Sequence, residues 1–308
     1  MLFIVLRRIA LAVPVLLIVI TLAFALMTLA PGGPFDQDRQ PPPGVQAQLE
    51  SRYQLDQPFW VQYSTYVGNL LQGDLGPSYR HPGYSVEELI WLGLPVSLEL
   101  GLYALLIALS IGMATGILAA MHQNTWMDYL PMSLTMIGIC VPTFLLGPLM
   151  VLVFSIWMNW LPVSGWGNLP GDKILPSVTL GAAYAAWIAR LLRGSMLEVM
   201  NQDYIRTARA KGLNEMRILL IHGLRVGVLP VISFMGPACA GLLSGSFVVE
   251  TIFQIPGLGR TFVQSAFNRD YTLILGAAIF FSTLIILFNL LADLANLVLD
   301  PRTRESAQ

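Results

Sequence analysis

Six long apolar stretches, each free of charged residues, alternate with polar segments along the chain. Most of them reach the roughly 20 residues that a helix needs to cross about 30 Å of hydrocarbon. Because backbone amides inside a bilayer must be satisfied within the segment, each stretch is predicted to be a transmembrane helix. The pattern therefore predicts an all-α polytopic membrane protein with six transmembrane helices. The predicted spans are Ile9–Ala30, Leu100–Met121, Tyr129–Trp157, Ile174–Ala189, Val226–Val249 and Tyr271–Ala292.

The distribution of Lys and Arg predicts which side of the membrane each loop faces. With the N-terminus inside, 11 of these residues fall on the cytoplasmic side and 6 outside, although the outer loops are longer. An excess of Lys and Arg is typical of cytoplasmic loops. Trp91, Trp157, Trp160 and Trp166 lie near the predicted outer ends of spans, as an interfacial belt requires. Both termini are therefore predicted to be cytoplasmic, and the first span is expected to be retained.

Composition narrows the chemistry that the chain can carry out. The chain is 55% hydrophobic and 11% charged, and its net charge of −1 argues against nucleic acid as a partner. Cys140 and Cys239 both fall within apolar spans, and the three His residues have no metal-ligand spacing. The sequence contains no phosphate-binding loop, nucleophile motif or zinc-helix signature. It therefore predicts a chain without a catalytic site that binds no metal and no cofactor of its own.

The segment between the first two spans is long, rich in Pro and Gly, and predicted to lie outside. Within it, Val45–Tyr53 and Pro58–Leu71 are predicted to be short helices. Ser85-Val-Glu-Glu88 has the spacing of a capping box, which would start an interfacial helix ending at Leu94. Pro95 would then precede the second span. The segment either caps the outer mouth of a pathway or packs over the spans, and the residues favour neither alternative.

Polar residues within or beside the spans are few. Ser244 and Ser246 are candidates for lining a translocation pathway, although helix packing is the favoured interpretation of this Gly- and Ser-rich stretch. Glu99, Glu250 and Asp293 lie at predicted span ends. There an interfacial position is favoured over a buried proton relay.

One polar run lies between the fourth and fifth predicted spans. Five of the chain's 17 Lys and Arg residues fall between Arg206 and Arg225. Tyr204–Ala210 consists of good helix formers, and Gly212 is placed to end that helix in the left-handed conformation. Asn214 is a natural N-cap for a second helix. The apolar face of that second helix is predicted to comprise Ile218, Ile221, Leu224 and Val228.

Two interpretations of this run follow from its residues. Ala208, Ala210 and Gly212 are small, so the surface of another protein could approach the backbone closely. The surrounding basic residues would orient that protein. The alternative is a positive-inside loop that contacts anionic lipid. The residues alone do not distinguish the two.

The run Asp203-Tyr-Ile-Arg-Thr-Ala-Arg-Ala-Lys-Gly-Leu213 resembles the cytoplasmic coupling loop of binding-protein-dependent ABC importer permeases. The general signature of that loop is Glu-Ala-Ala, three residues, Gly, nine residues, then Ile-x-Leu-Pro. Arg206-Thr207-Ala208 and His222-x-Leu224-Arg225 stand at those positions and match the form found in the peptide and nickel branch. Further branch-like motifs are Leu6-Arg7-Arg8, Leu29-Ala30-Pro31-Gly32, Gly73-Asp-Leu-Gly-Pro-Ser78, Val249-Glu-Thr-Ile-Phe253, Pro256-Gly-Leu-Gly259, Asn268-Arg-Asp-Tyr271 and Asp300-Pro301.

The resemblance extends over essentially the whole chain and is greatest to the oligopeptide permeases of the branch. It implies the type I ABC importer permease fold, with a cytoplasmic N-terminus and first span at 1–30 and an extracytoplasmic region at 31–94. A five-helix core would follow at 95–299, with the coupling loop at about 196–226 and a cytoplasmic tail at 300–308. The residues implied to contact an ATPase are Tyr204, Arg206, Thr207, Ala208, Arg209, Lys211 and Gly212.

The resemblance also implies partners and a location. The partners would be a homologous second permease, two cytoplasmic ABC ATPases that bind ATP and magnesium, and an extracytoplasmic peptide-binding protein. All would act at the bacterial inner membrane. A dipeptide, a nickel complex, glutathione or an antimicrobial peptide are alternative cargoes. A secondary transporter or channel would instead show inverted repeats or a filter motif, and an intramembrane enzyme a nucleophile with its base; the sequence shows none of these.

Overall fold

The structure is a computed structural model that describes residues 2–29 and 56–299. Its regular elements are helices, accompanied by an isolated antiparallel bridge between Pro77 and Ser85. The α-helices are α1 (Leu2–Leu29), α2 (Phe59–Leu70), α3 (Val86–Met121), α4 (Trp126–Cys140), α5 (Thr143–Met150), α6 (Ile174–Met200), α7 (Asp203–Ala210), α8 (Glu215–Arg217), α9 (Leu224–Gly227), α10 (Leu229–Ile252), α11 (Leu258–Asn268) and α12 (Tyr271–Leu299). Two π-helical segments, Val151–Trp157 and Ile218–Gly223, continue α5 and join α8 to α9.

Five helices among the described residues are long and apolar enough to cross a membrane, and a bent pair brings the number to six if it counts as one span. The bent pair is Trp126–Cys140 with Thr143–Trp157, whose two halves differ in direction by 112°. The prediction of one continuous helix over Tyr129–Trp157 is therefore wrong. Val141 takes an extended conformation before Pro142, because the ring of a proline disfavours the helical region for the preceding residue.

The start of α3 is the capping box that the sequence predicts. The Ser85 N–H donates to Glu88 Oε2 at 3.0 Å, and the Glu88 N–H donates to Ser85 Oγ at 3.3 Å. The helix does not end at Leu94, however, but continues through Pro95 as one element of 36 residues. A proline removes one helical hydrogen bond, which membrane helices tolerate when neighbouring groups satisfy the freed backbone.

The described chain falls into two compact units, of which the first comprises Met1–Val96 and Pro256–Leu284. Its apolar core joins the first turns of α3 to α11 and α12: Val86, Ile90 and Leu94 pack against Leu258 and Leu273. These buried residues recur every four positions along α3, which is the period of one helix face. The core therefore fixes the start of the long helix.

A buried polar contact in the first unit joins two of the branch-like motifs. The carboxylate of Asp270, 1% exposed, accepts hydrogen bonds from the Ser78 hydroxyl and from the Tyr79 N–H at 3.1 Å. Arg80 Nε donates to the Asn268 carbonyl at 2.6 Å. The motif ending at Ser78 and the motif beginning at Asn268 thus form one hydrogen-bonded contact.

The second unit comprises Ser97–Ile255 and Ile285–Gln308. Its core is centred on the buried face of α6, where Ile188, Leu192 and Met196 pack against Ala108 and other apolar side chains. Glycine allows close helix contact here, since a Cβ at Gly138 would lie 2.4 Å from the Ala182 carbonyl oxygen. Small residues permit this approach of helices within membranes.

Two of the acidic residues near the span ends have side-chain partners. Glu250 is 0% exposed and accepts a 2.6 Å hydrogen bond from Ser97 Oγ, and its interfacial position stays a prediction. Glu99 is partly exposed and pairs with Lys173 at 2.6 Å. Three predicted features lie outside the described residues: the helix Val45–Tyr53, the turns at 31–44 and the tail at 300–308.

Candidate functional site

Helix α7 presents one apolar edge inwards and a polar surface outwards. Ile205 and Ala208, 0% and 7% exposed, pack against the fully buried Ile218 to form a small core of their own. They are three positions apart and therefore share one side of the helix. Asp203 lies in the first turn, where its negative charge interacts favourably with the helix dipole. The other side chains of this short helix are exposed.

The end of α7 is a Schellman motif built around Gly212. Gly212 has φ +75°, its N–H donates to the Arg209 carbonyl at 2.9 Å, and the Leu213 N–H donates to the Ala208 carbonyl at 3.3 Å. Leu213 also packs against the Ile205 cluster, which supplies the apolar contact that usually accompanies this motif. The left-handed conformation predicted for Gly212 is confirmed.

Two side-chain contacts fix the chain that follows. Asn214 Oδ1 accepts from the Met216 N–H at 2.9 Å, which confirms the predicted N-cap. Arg209 Nε and Nη2 donate to the two carboxylate oxygens of Glu215 at 2.8 and 3.3 Å. This hydrogen bond raises the pKa of the Arg209 guanidinium. Since both side chains are well exposed, the pair orients α7 against α8 more than it stabilises the fold.

The segment after α8 departs from the predicted apolar face. Ile221 is 52% exposed, whereas Leu219 is 2% exposed and joins the core of α6. The reason is the π-helical turn Ile218–Gly223, whose hydrogen bonds span five residues and so rotate the positions relative to an α-helical period. Leu224 and Val228 still pack against that core as predicted.

Six of the seven sequence-predicted contact residues lie on the surface of this segment; Ala208 does not. Its side chain faces Ile218, so the close approach expected there is wrong, while Ala210 on the same helix is exposed. The exposed six are Tyr204, Arg206, Thr207, Arg209, Lys211 and Gly212.

The two candidate pathway residues lie apart from this surface, in α10. Ser246 is 0% exposed and its hydroxyl donates to the Leu243 carbonyl at 2.8 Å. Ser244 is partly buried and donates to the Gly241 carbonyl at 3.3 Å. Their role in lining a pathway stays a prediction.

Comparison with known proteins identifies the family. Residues 112–305 match the family described as "Binding-protein-dependent transport system inner membrane component". The chain belongs to this family. It is 46% identical over 299 residues to the oligopeptide transport system permease protein OppB of Haemophilus influenzae, covering 97% of this chain and 98% of that one. It is 47% identical over 305 residues to OppB of Escherichia coli K12, covering 99% and 100%.

Other relatives extend the comparison. The dipeptide transport system permease protein DppB of Bacillus subtilis is 43% identical over 289 residues, which cover 94% of each chain. A chain from an amino acid ABC transporter with histidines has a TM-score of 0.54 at 17% identity, covering 68% of this chain and 94% of that one. A chain of the inward-facing MetNI methionine ABC transporter has a TM-score of 0.53 at 17% identity, covering 70% and 96%. These structures share the fold.

Membership in the family defines the chain as the membrane permease of an ABC importer. It is a multi-span inner-membrane component and a non-catalytic transport subunit, with no cofactor of its own. A binding-protein-dependent system of this type works with ATPase and binding-protein partners.

Sequence reasoning missed one ion pair close to α7 in the chain. The Nε and Nη2 groups of Arg193 donate to the two carboxylate oxygens of Asp128, both at 2.7 Å. Asp128 is 1% exposed and also accepts from the Asn124 N–H at 3.0 Å. The signal in the sequence was an acid just before one apolar stretch and an Arg shortly after the end of another. The pair joins α4 to the C-terminal half of α6.

Proposed function

We propose that this permease carries peptides, oligopeptides first among them, from an extracytoplasmic binding protein into the cytoplasm. It would do so beside a homologous second permease, with two ATPases supplying the energy. The observation that supports this most is similarity to OppB proteins at 46–47% identity over nearly the full length of both chains. The 43% identity to DppB makes dipeptides the second candidate cargo.

In this proposal α7 is the lever that the ATPases move. Its outward face offers Tyr204 and Arg206 to a groove on a soluble protein, and Lys211 follows at its end. The Schellman motif at Gly212 holds that end of the helix in place. A basic surface with small residues suits such a groove better than a lipid surface, because the apolar edge of α7 is already covered by Ile218.

Movement of the lever would reach the spans through continuous packing. Ile205 contacts Ile218, and the next residue, Leu219, belongs to the core that holds Leu192 and Met196 of α6. A displacement of α7 therefore acts directly on a transmembrane helix. The two permeases would then switch between inward- and outward-facing states by rigid-body rotation, which is a common form of conformational switching. ATP and magnesium would bind the partner subunits, and cargo selection would lie mainly with the binding protein.

Reconstitution tests the proposal. The complete complex in proteoliposomes is expected to accumulate a labelled tripeptide only when the binding protein and internal ATP are both present. The purified permease alone is expected to show neither ATP hydrolysis nor saturable nucleotide binding. Accumulation of another solute class in place of peptides, in a complex with stimulated ATPase activity, would overturn the cargo assignment.

A further inference from the structure

Lys173, at the start of α6, places its ammonium in a cage of one carboxylate and two aromatic rings. Its Nζ lies 2.6 Å from Glu99 Oε1, 5.1 Å from the centre of the Trp166 ring and 5.7 Å from that of Tyr103. Trp166 Nε1 donates to the other carboxylate oxygen of Glu99 at 3.0 Å. The bond to Glu99 raises the pKa of Lys173, so the group is an ammonium at neutral pH.

A cavity of about 690 Å³ adjoins this cage, and Tyr103 and Lys173 belong to both. This volume lies within the range of about 300–1,000 Å³ that is usual for ligand pockets. The remaining wall comes from Leu106 and Ile107 of α3, from Ile174 and Ser177 of α6, and from the turn at 167–172.

Asp172 gives that turn a fixed shape. Its Oδ2 accepts from the Asn168 and Leu169 N–H groups at 2.9 and 3.0 Å, and the side chain is almost fully buried. Burial would raise the pKa of Asp172, but the N–H donors of the turn hold it below its usual range. The carboxylate is therefore ionised and adds a negative charge behind the cavity wall.

The chemistry of the cage is that of an ammonium receptor. A carboxylate with aromatic ring faces attracts a cation through its charge and through the negative faces of the rings. Glu99 and Asp172 together outweigh the one positive charge of Lys173, so the surroundings are net negative. The ion pair is readily exchanged as well, since both side chains are about one third exposed, at 33% and 36%.

We propose that this cage receives the protonated amino terminus of the peptide cargo, which displaces the Lys173 ammonium from Glu99. The first residues of the peptide would lie in the adjoining cavity, against Leu106 and Ile107. Lys173 is then a placeholder that occupies the cage when no cargo is present. The inference rests on the proposed function, because it assumes a peptide as the cargo.

The test is binding of radiolabelled trialanine to the assembled transporter in nanodiscs without the binding protein. Lys173→Met vacates the cage and is expected to lower the half-saturating concentration of trialanine about threefold to tenfold, the scale of one partly exposed ion pair. Glu99→Gln removes the receptor charge and is expected to raise it by a similar factor. If the ion pair were only structural, Lys173→Met and Glu99→Gln would shift the half-saturating concentration in the same direction, because either substitution breaks the pair.

Two controls complete the design. N-acetyl-trialanine, which has no ammonium, should bind the wild type and both variants alike. Asp56→Asn removes an exposed negative charge elsewhere and should leave trialanine binding unchanged. Shifts of the same sign, no saturable binding, or equal shifts with the acetylated peptide would overturn the inference. ATP-driven trialanine uptake by the same purified wild-type complex, reconstituted in proteoliposomes and measured with the binding protein, tests the proposed function separately.

Discussion

Gly212→Pro is expected to abolish peptide-stimulated ATP hydrolysis and uptake while leaving the chain inserted in the membrane. Proline fixes φ near −65°, whereas Gly212 has φ +75° and donates its N–H to the Arg209 carbonyl. The substitution therefore removes the whole Schellman motif, including the bond from Leu213 to Ala208. The loss of two hydrogen bonds at about 1 kcal/mol each lowers the ratio of ordered to disordered α7 ends by roughly 30-fold. A helix of eight residues has little stability of its own to offset that loss.

Substitutions of graded conformational cost separate backbone strain from side-chain bulk. No described atom lies within 4 Å of a Cβ built on Gly212, so a side chain meets open space there. Gly212→Ala is expected to cost about 1–2 kcal/mol through the left-handed conformation alone, and Gly212→Asn less. Helix α7 should be equally well ordered in Gly212→Glu and in Gly212→Ala. Any greater loss of coupling in Gly212→Glu therefore comes from contact of the larger side chain with the partner.

The assay combines two measurements on the reconstituted complex. Hydrogen exchange of the α7 amides reports the order of the helix, and ATP hydrolysis driven by peptide-loaded binding protein reports coupling. The protection of the α7 amides from exchange and the stimulated rate of ATP hydrolysis should both decline in the order Gly, Asn, Ala, Pro at position 212. Normal transport by a Gly212→Pro complex in which α7 exchanges rapidly would refute the role of this cap in the lever.

Three further predictions concern charged residues. Arg193→Leu leaves the carboxylate of Asp128 buried without its guanidinium and is expected to destabilise the permease by about 3 kcal/mol. The loss is measured as a fall in the thermal midpoint in detergent. The double variant Arg193→Leu with Asp128→Leu should recover most of the lost stability. The pKa of Asp172 is lowered in the folded protein. Its contribution to stability is therefore present above the ordinary carboxyl pKa and is lost as pH falls through the folded-state pKa. Asp172→Asn should be less stable than the wild type at pH 7 and should lose this acid sensitivity in thermal unfolding measured across pH. Arg206→Glu reverses an exposed charge and breaks only the exposed pair with Asp203, which contributes little to stability, while the pair of Arg209 with Glu215 stays. It should weaken co-purification with the ATPases at least tenfold, and an unchanged yield would contradict a charge-oriented contact.

The sequence predicted most of what depends on local chemistry. The capping box at Ser85 and Glu88, the left-handed Gly212 and the Asn214 cap each involve residues within three positions, so their spacing carries the information. The apolar spans follow from the same logic, because the bilayer imposes length and composition.

What the sequence did not predict depends on distant residues. The carboxylates of Glu99, Asp128 and Glu250 find partners 74, 65 and 153 positions away, and no periodicity identifies such pairs. The buried position of Ala208 depends on its contact with Ile218, ten positions later in the chain. The 112° bend at Pro142 was not predicted either, because the local sequence gives no direction for the helix that follows the break.

Crosslinking from α7 to an ATPase tests the coupling role most directly, and the helix supplies its own matched control. In the assembled, transport-competent complex, a cysteine at the exposed Ala210 is expected to form a crosslink to an ATPase subunit through a short reagent that joins this thiol to a lysine amine of the ATPase. A cysteine at Ala208, 7% exposed and packed on Ile218, is expected to form little or none. A complex that imports peptide yet gives no crosslink from Ala210 would contradict the assignment of α7 as the coupling lever.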